Sequence, residues 1–442
     1  MKYKIILLTL LLPLLTMAQE QRNFSLEEAI IYAQENSYAV LNADDEIAKA
    51  QKKVWETTTM GLPQINATID YQNYIQKPVQ LVPAEFFGGQ AGEFAEISFG
   101  TKQNVNASAT LSQLIFDGSY IVGLQSSRVY LKISEIAKQK TTLAIKEGVI
   151  NAYAGVLMAR EGINILEKNI ENISQNLDQT REIVKNGFGE EQDVEQLALT
   201  LNSIVDQLKT MQKQEQYTMN MLKYVMGIPI GENIELTETL ESLATSYSSE
   251  LILDQAFTPE NHIDYLISEN TINANELLIK LEKSKALPSL GAFINYGINA
   301  NSETFSFLKS DQKWYDLSLF GVSMSVPIFS SLKRVSRVQQ AKIDLDISKR
   351  NQVETSEKLN LAYETAKLNY QSALDTYQNA KEALRLAESI EHKESIKFYE
   401  GISGSFEWSN AQNQLYDKQQ KYLQSIFNLI NNKAALESAL GD

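Results

Sequence analysis

Two apolar stripes, separated by one short turn, constrain this chain more than anything else in it. The first runs through Leu166, Ile170, Ile173, Leu177, Thr180 and Val184, spaced alternately by four and three residues. The second keeps that rhythm through Val194, Leu197, Leu201, Ile204, Leu208, Met211, Glu215, Thr218, Leu222 and Val225. An average spacing of about 3.5 residues marks helices that supercoil on each other, not one helix lying on a globular core. Between the stripes stands Asn186-Gly187-Phe188-Gly189. The spacing therefore predicts a helical hairpin from about Ser119 to Met226. Its first arm, Ser119 to Lys185, would be about 100 Å long, for which a compact domain has no use. Proline is absent from the hairpin, and Gly148, Gly155 and Gly162 recur every seven residues. Those glycines lie on one side, where they would admit a neighbouring helix.

The compartment follows from the first residues. Lys2 and Lys4 precede the apolar run Ile5–Leu15, and Thr16-Met17-Ala18 supplies small residues before Gln19. This is the pattern of a cleaved secretory signal over residues 1–18. The run is too short to stay behind as a membrane helix, and no later stretch is long enough. Cleavage would take the formal charge from −15 to −17. An exported acidic chain without a basic patch is a poor partner for nucleic acid. With no cysteine, the chain forms no disulfide, uses no thiolate and carries no lipid on an N-terminal cysteine. His262 and His392 stand 130 positions apart in polar helical contexts, which favours solvated side chains over metal ligands.

After the signal, Ser25 and Glu28 form a capping box, and helical periodicity runs to about Thr59 until Leu62-Pro63 stops it. The period then becomes two: Ile65, Ala67, Ile69 and Tyr71 alternate with Asn66, Thr68, Asp70 and Gln72. A loop rich in Gly, Phe and Pro fills 77–100. Alternation resumes with Val105, Ala107, Ala109 and Leu111, and ends at Ile115-Phe116-Asp117-Gly118. The long hairpin follows, closing at Met226-Gly227-Ile228-Pro229, and an irregular acidic segment leads to about Phe257. The programme then repeats. Glu35-Asn36 and Leu62-Pro63 recur as Glu260-Asn261 and Leu287-Pro288 at an offset of 225. Strands are expected at Leu290–Asn301 and Asp316–Phe329. A second hairpin turns at Glu400-Gly401-Ile402-Ser403-Gly404, with Gly401 offset from Gly187 by 214. Its descending arm carries Tyr363, Ala366, Tyr370, Ala373 and Tyr377 at seam spacing. The expected organisation is a first repeat over 19–258 and a second over 259–442, with strands at about 62–116 and 288–329.

Each strand is apolar on one face, rich in Asn, Ser and Thr on the other, and of the length that crosses an outer membrane when tilted. The aromatic loop residues Phe86, Phe87, Phe94, Phe99, Phe305, Phe307, Trp314 and Tyr315 suit either a membrane interface or loop packing. Four strands cannot close a barrel, because the small closed forms need about eight. Open edges in lipid would leave backbone groups unpaired. A barrel must then be assembled from several chains, and a long hairpin with two seams to bury favours a closed ring of three.

The order of these elements resembles the TolC-type outer-membrane efflux proteins over essentially the whole mature chain. The resemblance is carried by Leu26-Glu27-Glu28-Ala29 with Glu35-Asn36, the two Leu-Pro pairs, Leu114-Ile115-Phe116-Asp117-Gly118 and Met226-Gly227-Ile228-Pro229. It implies a mixed, mainly α fold: coiled-coil hairpins forming an α-barrel, joined to a transmembrane antiparallel β-barrel of four strands per protomer, closed only in a homotrimer. It further implies a passive exit duct in the outer membrane of a Gram-negative bacterium, serving efflux or type I secretion. Its partners would be a periplasmic adaptor, an inner-membrane pump and outer-membrane lipid, and it would need no cofactor. Family members often place acids just past the tip glycines. Here Asp193 and Glu407 stand six residues after Gly187 and Gly401. Asn410 occupies the place of a second acid, and Ser403 that of a common arginine, which argues against a salt-bridge lock.

Asp193 and Glu407 are thus candidate pore-constriction residues together with Asn410, although an acid in a first helical turn also suits the helix dipole. Gly187, Phe188, Gly401 and Ile402 are candidate adaptor contacts, since an apolar side chain at a solvated turn, twice, points to a partner. Tyr363, Tyr370 and Tyr377 fit a packed seam. No nucleophile–base pair, metal cluster or phosphate loop appears, so the chain is not expected to be an enzyme. The competing reading is a secreted periplasmic coiled-coil scaffold with small soluble sheets.

Overall fold

The computed structural model describes residues 22–441, and the expected signal segment lies outside them. The first repeat opens with β1 (Arg22–Phe24), α1 (Leu26–Asn36) and α2 (Tyr38–Thr59). It continues through strands β2 (Gln64–Asn73), β3 (Val79–Pro83), β4 (Phe94–Ser98) and β5 (Gln103–Phe116). Helices α3 (Gly118–Lys185) and α4 (Glu191–Met226) form its hairpin, and β6 (Ile234–Leu236) and α5 (Leu240–Tyr247) follow. The second repeat holds α6 (Ile263–Ser284), β7 (Ser289–Ser302), β8 (Tyr315–Ser325), α7 (Lys333–Tyr399) and α8 (Ser405–Leu440). By contacts the chain divides into two units whose boundaries fall within α2, α3, α6 and α7. One comprises residues up to Asp45, Ile136–Leu266 and Glu354 onward; the other comprises Glu46–Glu135 and Ile267–Val353.

The helical unit is a seam of heptad contacts around one core. Ser25 caps α1 with the expected box: its hydroxyl accepts from the Glu28 amide, and the Glu28 carboxylate accepts from the Ser25 amide at 2.8 Å. The three heptad glycines of α3 face Val225, Thr218 and Met211 of α4, themselves seven residues apart. A methyl group at Gly148 or Gly155 would rest 3.5 Å from its neighbour, and one at Gly162 would press on Met211 at 3.1 Å. Alanine would fit at two of these places, so what the seam excludes is anything larger. The predicted tyrosines are buried, but two of them do more than fill a helical seam. Tyr363 donates to the Gln255 carbonyl at 2.9 Å, and Tyr370 donates to those of Tyr247 and Ser249 at 2.7 and 2.9 Å. They tie α7 to the segment after β6. That segment, expected to be irregular, is ordered: β6 pairs in parallel with β1, and Leu240, Leu243 and Ala244 of α5 enter the core.

In the other unit the strand order is β2-β5-β7-β8, antiparallel throughout. Register aligns the two expected faces across all four strands. Ile69 pairs with Ala107, Ala107 with Ile298, and Leu111 with Ile294, which pairs with Phe320. Thr68 pairs with Ser108 on the other face, where their hydroxyls meet at 3.1 Å. Since β2 and β8 each pair on one side only, both are open edges. The polar face is less uniform than its sequence suggests. Phe293 lies on it with its ring over Gly321, where a Cβ would come within 2.5 Å of the ring, and Leu317 and Leu319 share that face. An aromatic ring laid over a cross-strand glycine restores the packing the glycine lacks.

Several local expectations change. The first helix breaks at Ser37, whose hydroxyl accepts from the Val40 amide and caps α2. The loop over 77–100 holds the β3–β4 hairpin. Strand β8 ends at Ser325, not near Phe329, because Pro327 has no amide to give to a ladder. Its continuation turns through Ser331 and Leu332 at positive φ. His262 is buried, not solvated: it caps α6, with Nδ1 accepting from the Asp264 amide at 3.1 Å. Of the aromatic loop residues, Phe307 is buried and packs edge-on with Phe305 and Tyr71, while Phe86, Phe87, Phe94 and Phe99 stay exposed.

Candidate functional site at the hairpin turns

Both long hairpins turn by the same backbone device. At the first, the Gly187 amide donates to Val184 at 2.9 Å and the Phe188 amide to Ile183 at 3.1 Å. At the second, the Gly401 amide donates to Phe398 at 3.0 Å and the Ile402 amide to Lys397 at 2.8 Å. These paired bonds, with glycine at φ 80° and 73°, define the Schellman motif, which satisfies the last helical carbonyls through a left-handed residue. The motif usually folds its next side chain back onto the helix. Here it does not: Phe188 is 86% exposed and Ile402 is 72% exposed.

The second turn is braced by an aromatic cluster. Trp408 packs against Phe398 and Tyr399 with ring centroids 4.7 and 5.4 Å away, and its indole N–H donates to Glu391 at 2.9 Å. Ser403, where relatives often carry arginine, donates to Glu394 at 3.2 Å, and Lys397 pairs with the same carboxylate at 2.6 Å. The hydrogen bond from Lys397 holds Glu394 below its ordinary pKa; desolvation opposes it, and Ser403 adds to the lowering. Asp178, Gln179, Glu182 and Ile183 of α3 face Phe398 and Tyr399 across a shallow recess of about 500 Å³. The two turns of one protomer therefore lie side by side. Sequence reasoning missed Trp408 and Glu391, although a tryptophan one turn into a helix was the available signal.

The candidate acids occupy equivalent places. With α4 starting at Glu191 and α8 at Ser405, Asp193 and Glu407 are each the third residue of their helix. Asp193 is half-buried, whereas Glu407 and Asn410 are exposed. The Glu407 carboxylate bends back over Gly404, the residue that caps α8, so that a Cβ there would lie 2.7 Å from its oxygen. That position suits both the helix dipole and a free, solvated carboxylate.

No curated relative matches the chain by sequence. Residues 264–442 match the family model of the outer membrane efflux protein. Among solved structures, the outer membrane protein VceC from Vibrio cholerae is 14% identical with a TM-score of 0.70, covering 94% of this chain and 96% of its own. The CmeC outer membrane channel of Campylobacter jejuni is 17% identical with a TM-score of 0.70, covering 94% and 85%. The MtrE outer membrane channel of Neisseria gonorrhoeae, in its open state, is 15% identical with a TM-score of 0.69, covering 94% and 88%. At such identities the likeness fixes the fold, and the family match covers the C-terminal 179 residues. Residues 264–442 thus resemble the outer membrane efflux protein family, and the whole described chain has the fold of these outer membrane channels.

Proposed function

We propose that three copies of this chain form the exit duct of a tripartite efflux or type I secretion system in a Gram-negative outer membrane. The observation that carries this reading is the open four-stranded sheet, with one mainly apolar face, broken by Gln113, Asp316 and Ser318, and both edges unpaired. Edges bare in lipid are prohibitive. Three copies supply twelve strands around a polar lumen. The helices call for the same closure. On α4, Tyr217, Met221 and Tyr224 form an exposed stripe, and on α7 so do Leu361 and Leu368, all at seam spacing. Nothing among the described residues covers them, and a neighbouring protomer would. In this reading Phe188 and Ile402 with their glycines Gly187 and Gly401 meet the periplasmic adaptor, and an inner-membrane pump supplies the energy. Asp193, Glu407 and Asn410 line the narrow mouth.

The test is assembly. The protein should be recovered from detergent-extracted outer membrane as a heat-dissociable trimer that conducts ions in planar bilayers. A monomer in the soluble periplasm would favour the scaffold reading instead. Orientation is tested within the sheet, where Met324 lies on the apolar face and Ser323 on the other. Arginine at the bilayer midplane on the lipid face costs about 2–4 kcal/mol. Met324→Arg should therefore reduce assembled trimer strongly and Ser323→Arg little, and equal yields would reverse or remove the lipid face.

A further inference from the structure

We infer that the helix end of the sheet carries a collar of cations that holds the phosphates of anionic phospholipid headgroups. This rests on the reading that the apolar sheet face meets lipid. Register puts four chain connections at one end of the sheet: Gln64 pairs with Ser112, Leu290 with Phe116, and Ser289 with Ser325. At that end α2 and α6 finish and α3 and α7 begin. The stretches 49–63, 117–131, 276–288 and 326–342 there hold eleven Lys or Arg against four Asp or Glu. The loops at the opposite end, 74–102 and 303–314, hold four Lys against five acids. In a chain of net charge −15, the excess of cations is local.

Several of these charges have no use inside the protein. Arg334 is spent on the Pro327 and Ile328 carbonyls, and Lys53 on Glu56. Lys52, Arg128, Lys283, Lys333 and Arg337 are exposed and form no ion pair among the described residues. Beside them stand apolar side chains that the protomer also leaves uncovered: Trp55 after Lys52, and Ile328, Phe329 and Leu332 just before Lys333. Cations edging apolar residues, with an indole among them, fit the depth where headgroups meet acyl chains. One place is concave. Lys49, Lys52, Lys53 and Glu56 line an open recess of about 840 Å³ with Ser126, Ser127 and Tyr130, and since Lys49 pairs with Glu46 and Lys53 with Glu56, Lys52 is its uncommitted cation. The Lys52 ammonium there can donate to a phosphate. A soluble anion would account for the cations but not for the apolar ridge beside them.

The experiment compares full-length protein with two triple variants. One is Lys52→Gln, Arg128→Gln and Lys333→Gln. The control is Lys168→Gln, Lys213→Gln and Lys393→Gln, which removes exposed cations of the helical unit. Each is reconstituted into vesicles of phosphatidylcholine alone or with about a third phosphatidylglycerol, and lipids retained after detergent exchange are counted by native mass spectrometry. Wild type and the control should retain phosphatidylglycerol over phosphatidylcholine. The first variant should lose that preference by about fivefold per cation near a charged surface, and high salt should weaken it in wild type. Equal retention of both lipids by wild type overturns the inference, as does an unchanged preference in the first variant. Failure of wild type to insert into either vesicle would overturn the membrane reading as well.

Discussion

The hairpin turns and the hairpin roots use one backbone motif to opposite ends. At the root of the first hairpin, the Gly227 amide donates to Tyr224 and the Ile228 amide to Lys223, as in the turns. Gly227 has φ 77°, close to Gly187 at 80° and Gly401 at 73°. The surroundings differ completely. A Cβ on Gly227 would come within 2.3 Å of the Asn36 carbonyl oxygen, while nothing lies within 4 Å of one on Gly187 or Gly401. Ile228, the residue after the root glycine, is 2% exposed and lies in the core with Met226 and Ala33. The same chemistry thus closes a core at the root and presents an apolar side chain to the outside at the turn. An apolar group that could fold back, and does not, is available to a partner.

The largest effect that separates root from turn is Gly227→Ala. It combines a left-handed backbone with a backbone clash, and should cost at least about 3 kcal/mol. Gly187→Ala and Gly401→Ala meet only the left-handed penalty, about 1–2 kcal/mol each. Thermal or denaturant unfolding would rank them, and equal losses at 227 and 187 would erase the distinction.

Next in size is Tyr370→Phe, which tests how the core near the root is held. Its hydroxyl serves two partly buried carbonyls, and losing it should cost about 1–3 kcal/mol. Burial pushes the Tyr370 phenol from an ordinary 10.0 up to about 12, with Glu250 and Glu437 adding to it. A folded-state value above the unfolded one gives stability that is complete below pH 10 and lost as pH rises toward 12. The variant should therefore show a shallower alkaline loss of Tm than wild type. An identical slope would mean that the phenol is not held neutral by folding.

Smaller in stability but large in function are Phe188→Ser and Ile402→Ser. With both side chains already in water, unfolding should shift by less than about 0.5 kcal/mol, while, on the proposed reading, export through the adaptor and pump should fall. Export at wild-type level would leave the exposed turns without a partner. The smallest expected effect on folding is Asp193→Ala with Glu407→Ala, which in the proposed trimer would remove six carboxylates from the mouth. Trimer stability should hold, and cation selectivity in planar bilayers should drop. Wild-type selectivity would make both acids helix caps.

Heptad spacing and the period-two stretches made the hairpins, the four strands and the duplicated order legible in the sequence. Both patterns report local geometry, in which side chains three, four or two residues apart share a face whatever lies opposite. The equivalence of Ser37 and His262 was not legible in this way. They stand 225 positions apart, and each caps the helix after it, beneath Gly227 and Gly441 respectively. A serine and a histidine share no pattern, and only packing shows that they do one job. Nor could spacing tell that Phe188 stays in water while Ile228 is buried, since both follow a glycine at the end of a long helix. That difference was decided by what stands across from each residue. A root has a second chain segment, with Asn36 at its end, to fold against, and a turn has none. Burial is a property of pairs of distant segments, and a single stretch of sequence carries only one member of each pair.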